Sequence, residues 1–115
     1  MKTNIILEKS FRFALDIIEY CEKLEISKKF VIANQLLKSG TSIGANIREA
    51  QNSESKNDFI HKFKIAAKEI EETGYWLLLC KFSKSYPDCN NLILDLKEIE
   101  NITNKIIITS KTRKE

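Results

Sequence analysis

The sequence predicts an all-α fold, an antiparallel up-and-down four-helix bundle, and three observations carry that prediction. The 115 residues include one Pro and three Gly, too few turn formers for a many-stranded sandwich or barrel. Hydrophobic residues make up 43% and charged residues 30%, a balance too apolar for disorder, and the apolar positions recur at helical spacings. The links between these periodic stretches are short, which sets consecutive helices antiparallel. One domain, residues 1–115, is expected, because two halves would each be too small to close a core.

The first helix reads from about Asn4 to Leu24, with Thr3 or Asn4 as its expected cap. Leu7, Phe11, Ala14, Ile18 and Cys21 form a seam, and Ile6, Phe13, Ile17, Tyr20 and Leu24 form a second stripe beside it. One groove needs only one stripe. The excess predicts a surface for a partner copy, with Phe13, Ile17 and Tyr20 as interface candidates.

A second helix reads from Phe30 to Ala50, with Phe30, Ala33, Leu37 and Ile47 interleaved with Ile32, Leu36 and Ile43. Its centre gathers poor helix formers, Ser39, Gly40, Thr41, Ser42 and Gly44, and each glycine costs ~1 kcal/mol against alanine in a helix interior. Gly40 and Gly44 share one face. Either another backbone approaches closely there or the helix kinks; a break near Gly40 to Ser42 is the remaining reading.

Ser55-Lys56-Asn57-Asp58 resembles a capping box with Asp in the Glu position, and it starts a third helix that runs to about Ser83, ahead of Pro87. Phe59, Phe63, Ala66, Ile70, Leu77 and Cys80 hold its seam, widened by Ile65, Trp76 and Leu79. Trp76 at this spacing reads as core or subunit interface. Asp88 can cap a fourth helix that carries Leu92, Leu96, Ile99 and Ile106, with Ile102 beside them. Ile106 to Thr109 is β-prone, yet a lone strand has nothing to pair with, so the segment is expected to stay helical and to fray from about Lys111.

Residues 105–115 hold Lys105, Lys111, Arg113 and Lys114 against Glu115, which accounts for the whole net charge of +3 and leaves residues 1–104 neutral. Binding of RNA or DNA must then come from local clusters: Lys56, Lys64 and Lys68 along the third helix, or Lys81 and Lys84 at its end. A symmetric assembly would multiply such patches. The alternative is a solvated face balanced by Glu69, Glu71 and Glu72.

Ser39, Ser42, Asn46 and Glu49 follow one line along the second helix, with Lys62, Glu69, Glu72 and Arg48 as candidate partners. Buried, this stripe would fix helix register or subunit contacts; exposed, it is an ordinary wet face, and the groove near Asn46 and Glu49 is where a protein partner would dock.

Apparatus for catalysis is not visible. His61 is the sole histidine, so Asp58-Phe59-Ile60-His61, the nearest approach to the Glu-x-x-His of di-iron bundles, has no second copy. Cys21, Cys80 and Cys89 lack the paired spacing of a zinc site. Phosphate-cradling loops and nucleophile elbows are missing from the sequence as well. We expect no enzyme, no metal and no cofactor. Apolar runs fall far short of the ~20 residues of a membrane span, and no secretory leader is read, so a cytoplasmic protein without a membrane partner is expected.

Gln35 through Ala50, with its Ser-Gly-Thr-Ser-Ile-Gly-Ala-Asn-Ile-Arg-Glu-Ala ending, resembles the 23S rRNA intervening-sequence protein family. The following block, Ser55, Asp58-Phe59, Lys62, Ile65-Ala66, Glu69, Glu72 and Tyr75-Trp76-Leu77, continues the likeness, which covers Ile6 to about Lys111. Many relatives have proline where Gly44 stands. The resemblance implies a four-helix up-and-down bundle that associates into a ring, commonly a homopentamer, without enzymatic activity. Related accessory proteins of diversity-generating retroelements share this ring and bind a reverse transcriptase and nucleic acid through basic surfaces.

Overall fold

A computed structural model describes residues 2–113, with side chains from Ile5 to Arg113. Among these residues the chain forms four helices and no strand: α1 (Lys2–Ile26), α2 (Phe30–Ala50), α3 (Lys56–Phe82) and α4 (Asn90–Thr112). Each helix packs on two others in the cyclic order α1, α2, α3, α4, and the body measures 51 × 20 × 19 Å. The core runs along its axis, filled by Ile6, Phe13, Ile17, Leu36, Ile43, Ile47, Phe63, Leu77 and Ile99 among others.

α1 starts at Lys2, two residues before the expected Asn4, so Thr3 and Asn4 lie within the helix. Whether their side chains cap it lies outside the described residues. The assignment of its stripes is corrected. Ile6, Ser10, Phe13, Ile17, Tyr20, Cys21 and Leu24 are buried, whereas Phe11 and Ile18 of the expected seam are exposed. Both stripes satisfy the same rhythm, and the choice is made by what α2 offers. A Cβ placed on Gly40 would lie 2.9 Å from Cγ2 of Ile17, and one on Gly44 would lie 3.3 Å from the Ser10 carbonyl oxygen. Bare backbone on α2 therefore receives the Ser10/Ile17 side of α1.

α2 is continuous through this stretch, so the broken reading is set aside. Its hydroxyl and amide side chains bond back to their own helix: Thr41 Oγ1 donates to the Leu37 carbonyl (2.7 Å), Ser42 Oγ to Lys38 (2.6 Å) and Asn46 Nδ2 to Ser42 (2.9 Å). Polar residues that would compete with the helix are thereby satisfied within it. Phe30, expected inside, is exposed.

The α3 cap forms as the sequence indicates. Ser55 Oγ accepts from the Asp58 amide at 3.0 Å, while the Asp58 carboxylate accepts from the Glu54 amide at 3.3 Å, one residue earlier than in a standard box. At the start of α4 the N-cap position is Cys89, and Asp88 Oδ1 reaches the Asn90 amide at 3.4 Å. Ile106 to Thr109 is helical, and α4 continues through Lys111, where fraying was expected. The last two tail residues, Lys114 and Glu115, lie outside the described residues.

Candidate interaction surfaces

The stripe on α2 divides by depth where α2 meets α3. Ser39 is buried, and its Oγ accepts a 2.9 Å hydrogen bond from Thr73 Oγ1, which is fully enclosed on α3. Ser42 and Asn46 are half-buried, and Glu49 at the exposed end accepts from Lys62 Nζ at 3.1 Å. Glu72 holds the Trp76 indole, Nε1 donating to Oε2 at 3.1 Å. Burial pushes the Glu69 carboxyl above its ordinary pKa, Glu72 adds to the rise, and Lys38 opposes it. The line therefore joins two helices of one chain: Ser39 bonds to Thr73 in the dry interior, and Glu49 pairs with Lys62 at the wet end.

Of the four interface candidates, three are corrected. Phe13, Ile17 and Tyr20 lie inside the chain's own core, and the Tyr20 hydroxyl donates to the Pro87 carbonyl at 2.7 Å, tying α1 to the α3–α4 link. They cannot face a neighbour. Trp76 is half-buried against the core. The apolar side chains that do face outward on α1 are Phe11 at 55% exposure, Leu15 at 48% and Ile18 at 39%. Phe11, with Leu7 and Ala14, borders a hollow of about 110 Å³ whose other wall is Thr41, Gly44 and Ala45 of α2. A second apolar groove, about 450 Å³, lies between α3 and α4, with Gly74, Tyr75, Leu78 and Ile93 in its lining.

The five lysines proposed for nucleic acid fall into two groups. Lys81 and Lys84 belong to the end where α3 runs into its link with α4, and Lys81 Nζ lies 5.7 Å from the Phe82 ring centroid. Lys56, Lys64 and Lys68 belong to the other half of α3. There Lys56 Nζ donates to the Arg113 carbonyl, and the Lys111 ammonium lowers the Lys64 pKa. Along the sequence the α3 lysines and the basic residues of 105–113 lie far apart. Folding makes them one patch.

A model of the 23S rRNA-intervening sequence protein family matches residues 2–105. The chain belongs to that family. This is the family expected from the Gln35–Ala50 and Ser55–Leu77 blocks. Among solved structures, a protein of unknown function from the S23 ribosomal protein family of Bacteroides thetaiotaomicron is 42% identical, covering 95% of this chain and 100% of its own, with a TM-score of 0.90. No curated protein matches the sequence. The family match includes α1 to α3 and most of α4, so it contains the two apolar faces and all five candidate lysines.

All three cysteines gather at the end of the bundle that carries the α3–α4 link. They are buried and unpaired by disulfides, and Cys89 Sγ donates to the Leu77 carbonyl at 3.4 Å. Burial, with Cys80 and Glu25 adding to it, pushes the Cys21 thiol up to about 12. Such thiols pack as small apolar groups and are poor nucleophiles. Along the α1–α4 side, Asp16, Glu19, Asp88 and Asp95 line a cleft of about 280 Å³. The Asp95 carboxyl is raised by burial, then by Asp16 and Glu98, with Lys9 opposing. Among the described residues no group of three or more His, Cys, Asp or Glu side chains is arranged to hold a metal, and no helix is long and apolar enough to cross a membrane.

Proposed function

We propose that this chain is a non-enzymatic, cytoplasmic scaffold whose copies associate into a ring, a homopentamer being favoured, and that the ring holds RNA or DNA on basic helix faces. Within each copy the helices run antiparallel, up and down. That orientation is supported by contacts in which one residue number falls as the other rises: Gly40 against Ile17 and Gly44 against Ser10, Ser39 against Thr73 and Glu49 against Lys62.

The observation that carries the assembly is the pair of uncovered apolar faces, Phe11, Leu15 and Ile18 on α1 and Tyr75, Leu78 and Leu79 on α3. A cyclic ring with head-to-tail contacts needs two different surfaces on each copy, one to give and one to receive. Contiguous exposed apolar area of this kind marks association sites, and burying it supplies ~25 cal/mol per Å². Replacing Phe11, Leu15 and Ile18 together by serine should reduce the native mass to that of one chain, with helicity by circular dichroism retained because none of the three fills the core. An unchanged mass by sedimentation equilibrium would count against this interface.

A second reading, a module that docks a specific protein without nucleic acid, has one observation in its favour. Three of the most exposed large apolar side chains, Ile26 at 83%, Phe82 at 78% and Val31 at 76%, lie at the links joining α1 to α2 and α3 to α4. Lys29 stacks on Tyr86 between those links, with its Nζ 4.8 Å from the ring centroid. An apolar centre with a charged rim is the usual anatomy of a protein interface. Pull-down with and without nuclease treatment separates the readings: partners lost on nuclease treatment belong to the nucleic-acid scaffold, and partners retained belong to the protein module.

A further inference from the structure

Charge in this chain is segregated in space, although it does not look so along the sequence. Residues 56–68 and 101–113 together carry seven cationic side chains, Lys56, Lys62, Lys64, Lys68, Lys105, Lys111 and Arg113, against the single acid Asp58, a surplus of +6. The whole chain carries +3, so everything else sums to −3. These two half-helices are neighbours, joined by the Lys56 bond to the Arg113 carbonyl and by the approach of Lys64 to Lys111. Lys62 is engaged by Glu49, and the Asp58 carboxylate by the Glu54 amide. Among the described residues, Lys56, Lys64, Lys68, Lys105, Lys111 and Arg113 have no carboxylate within salt-bridge distance. Elsewhere on α4 the lysine is answered: Lys97 pairs with Glu100 at 3.2 Å.

The geometry points to this end of the α3–α4 pair, where Lys56 bonds to the Arg113 carbonyl, as the docking face for a nucleic-acid phosphodiester backbone, with Lys56, Lys64, Lys68, Lys111 and Arg113 forming the track. The inference rests on the nucleic-acid reading above and narrows it, because it assigns binding to one of the two lysine groups and excludes Lys81 and Lys84. Like charges held side by side are unfavourable in the free protein, and the neighbouring ammonium indeed holds Lys64 below the usual lysine pKa. A phosphate between them reverses the sign of that interaction. Lys64 and Lys68 are four residues apart on one helix, about 6 Å along the axis, so successive side chains can meet successive phosphates without reading bases.

The test is fluorescence anisotropy of the intact protein with a labelled single-stranded RNA, its DNA counterpart and, as a competitor, polyglutamate. The double variant Lys64→Gln/Lys111→Gln should lose affinity by about tenfold or more at low salt, and its salt slope should flatten by about 1 to 2. Lys81→Gln/Lys84→Gln should bind within about twofold of the parent, since these two lysines lie at the opposite end of α3 from the 56–68 track. The double glutamine variant should also melt at the same temperature as the parent or higher, because a repulsive pair has been removed. A lowered melting temperature alongside lost affinity would mean the lysines act structurally and would overturn the assignment. Unchanged affinity in that variant, or loss confined to the Lys81/Lys84 variant, overturns the site while leaving the nucleic-acid reading intact. No binding by the parent at low salt overturns both. Polyglutamate competing as well as RNA or DNA would reassign the face to an acidic protein. RNA or DNA binding alone would show which backbone is preferred, and either supports the inference.

Discussion

Gly40 and Gly74 are both helix-interior glycines, yet the structure gives them opposite prospects. A methyl group at Gly40 would meet Ile17 at 2.9 Å and 3.0 Å, and Ile17 is fully enclosed in the core. Gly40→Ala should therefore destabilise by about 1 to 3 kcal/mol, overpacking outweighing the ~1 kcal/mol gained in helix propensity. At Gly74 the nearest atom is Leu96 Cδ2 at 3.6 Å, an ordinary contact. Gly74→Ala should stabilise by up to about 1 kcal/mol. Paired denaturant melts check both signs, and a stabilising Gly40→Ala would mean the helices are less closely apposed than described. The sequence named Gly40 and Gly44 as a shared face and offered close approach as one explanation; the partner residue, Ile17, was not legible, because it had been placed on the wrong side of α1.

At the scale of elements, all four helices and most of their ends could be read from spacing and capping chemistry. Ser55 and Asp58 marked the start of α3 because side-chain acceptors are needed where helix amides lack partners. What periodicity could not decide was which of the two stripes of α1 faces inward, since a rotation of the helix by one residue satisfies both. That choice depends on the bare backbone of α2, a feature of a different segment. The juncture of α1 with the α3–α4 link was equally hidden: Tyr20 was read as a partner contact, and it proves to be the hydrogen-bond donor that holds Pro87. This end of the bundle has a pH consequence. Burial raises Tyr20 above its ordinary value and Cys21 from 9.0 to about 12, so both stay protonated in the fold at pH values where they ionise in the unfolded chain. A raised folded pKa gives stability that is complete below the unfolded value and lost as pH rises through the folded one. Stability should thus fall progressively from about pH 9 to about 12. Cys21→Ala should flatten that decline, as read by urea melts across the alkaline range, and an equally steep loss in the variant would show that the thiol is not its source.

Considered whole, the molecule is a rod with a cationic end, an acidic α1–α4 side and two uncovered apolar faces. The net charge of +3 concealed this layout, since Lys111 and Arg113 join the α3 lysines only when α3 and α4 pack together. The surplus of apolar surface was legible in the double stripe of α1. Its members were not, and exchanging Phe13, Ile17 and Tyr20 for Phe11, Leu15 and Ile18 moves the proposed interface to the opposite side of the same helix. In the proposed ring, copies cover those faces for one another. The most direct test is the mass of the native protein by sedimentation equilibrium over a wide dilution series: a closed assembly of identical chains, five being favoured, is the predicted result, and a single chain at every concentration would contradict it.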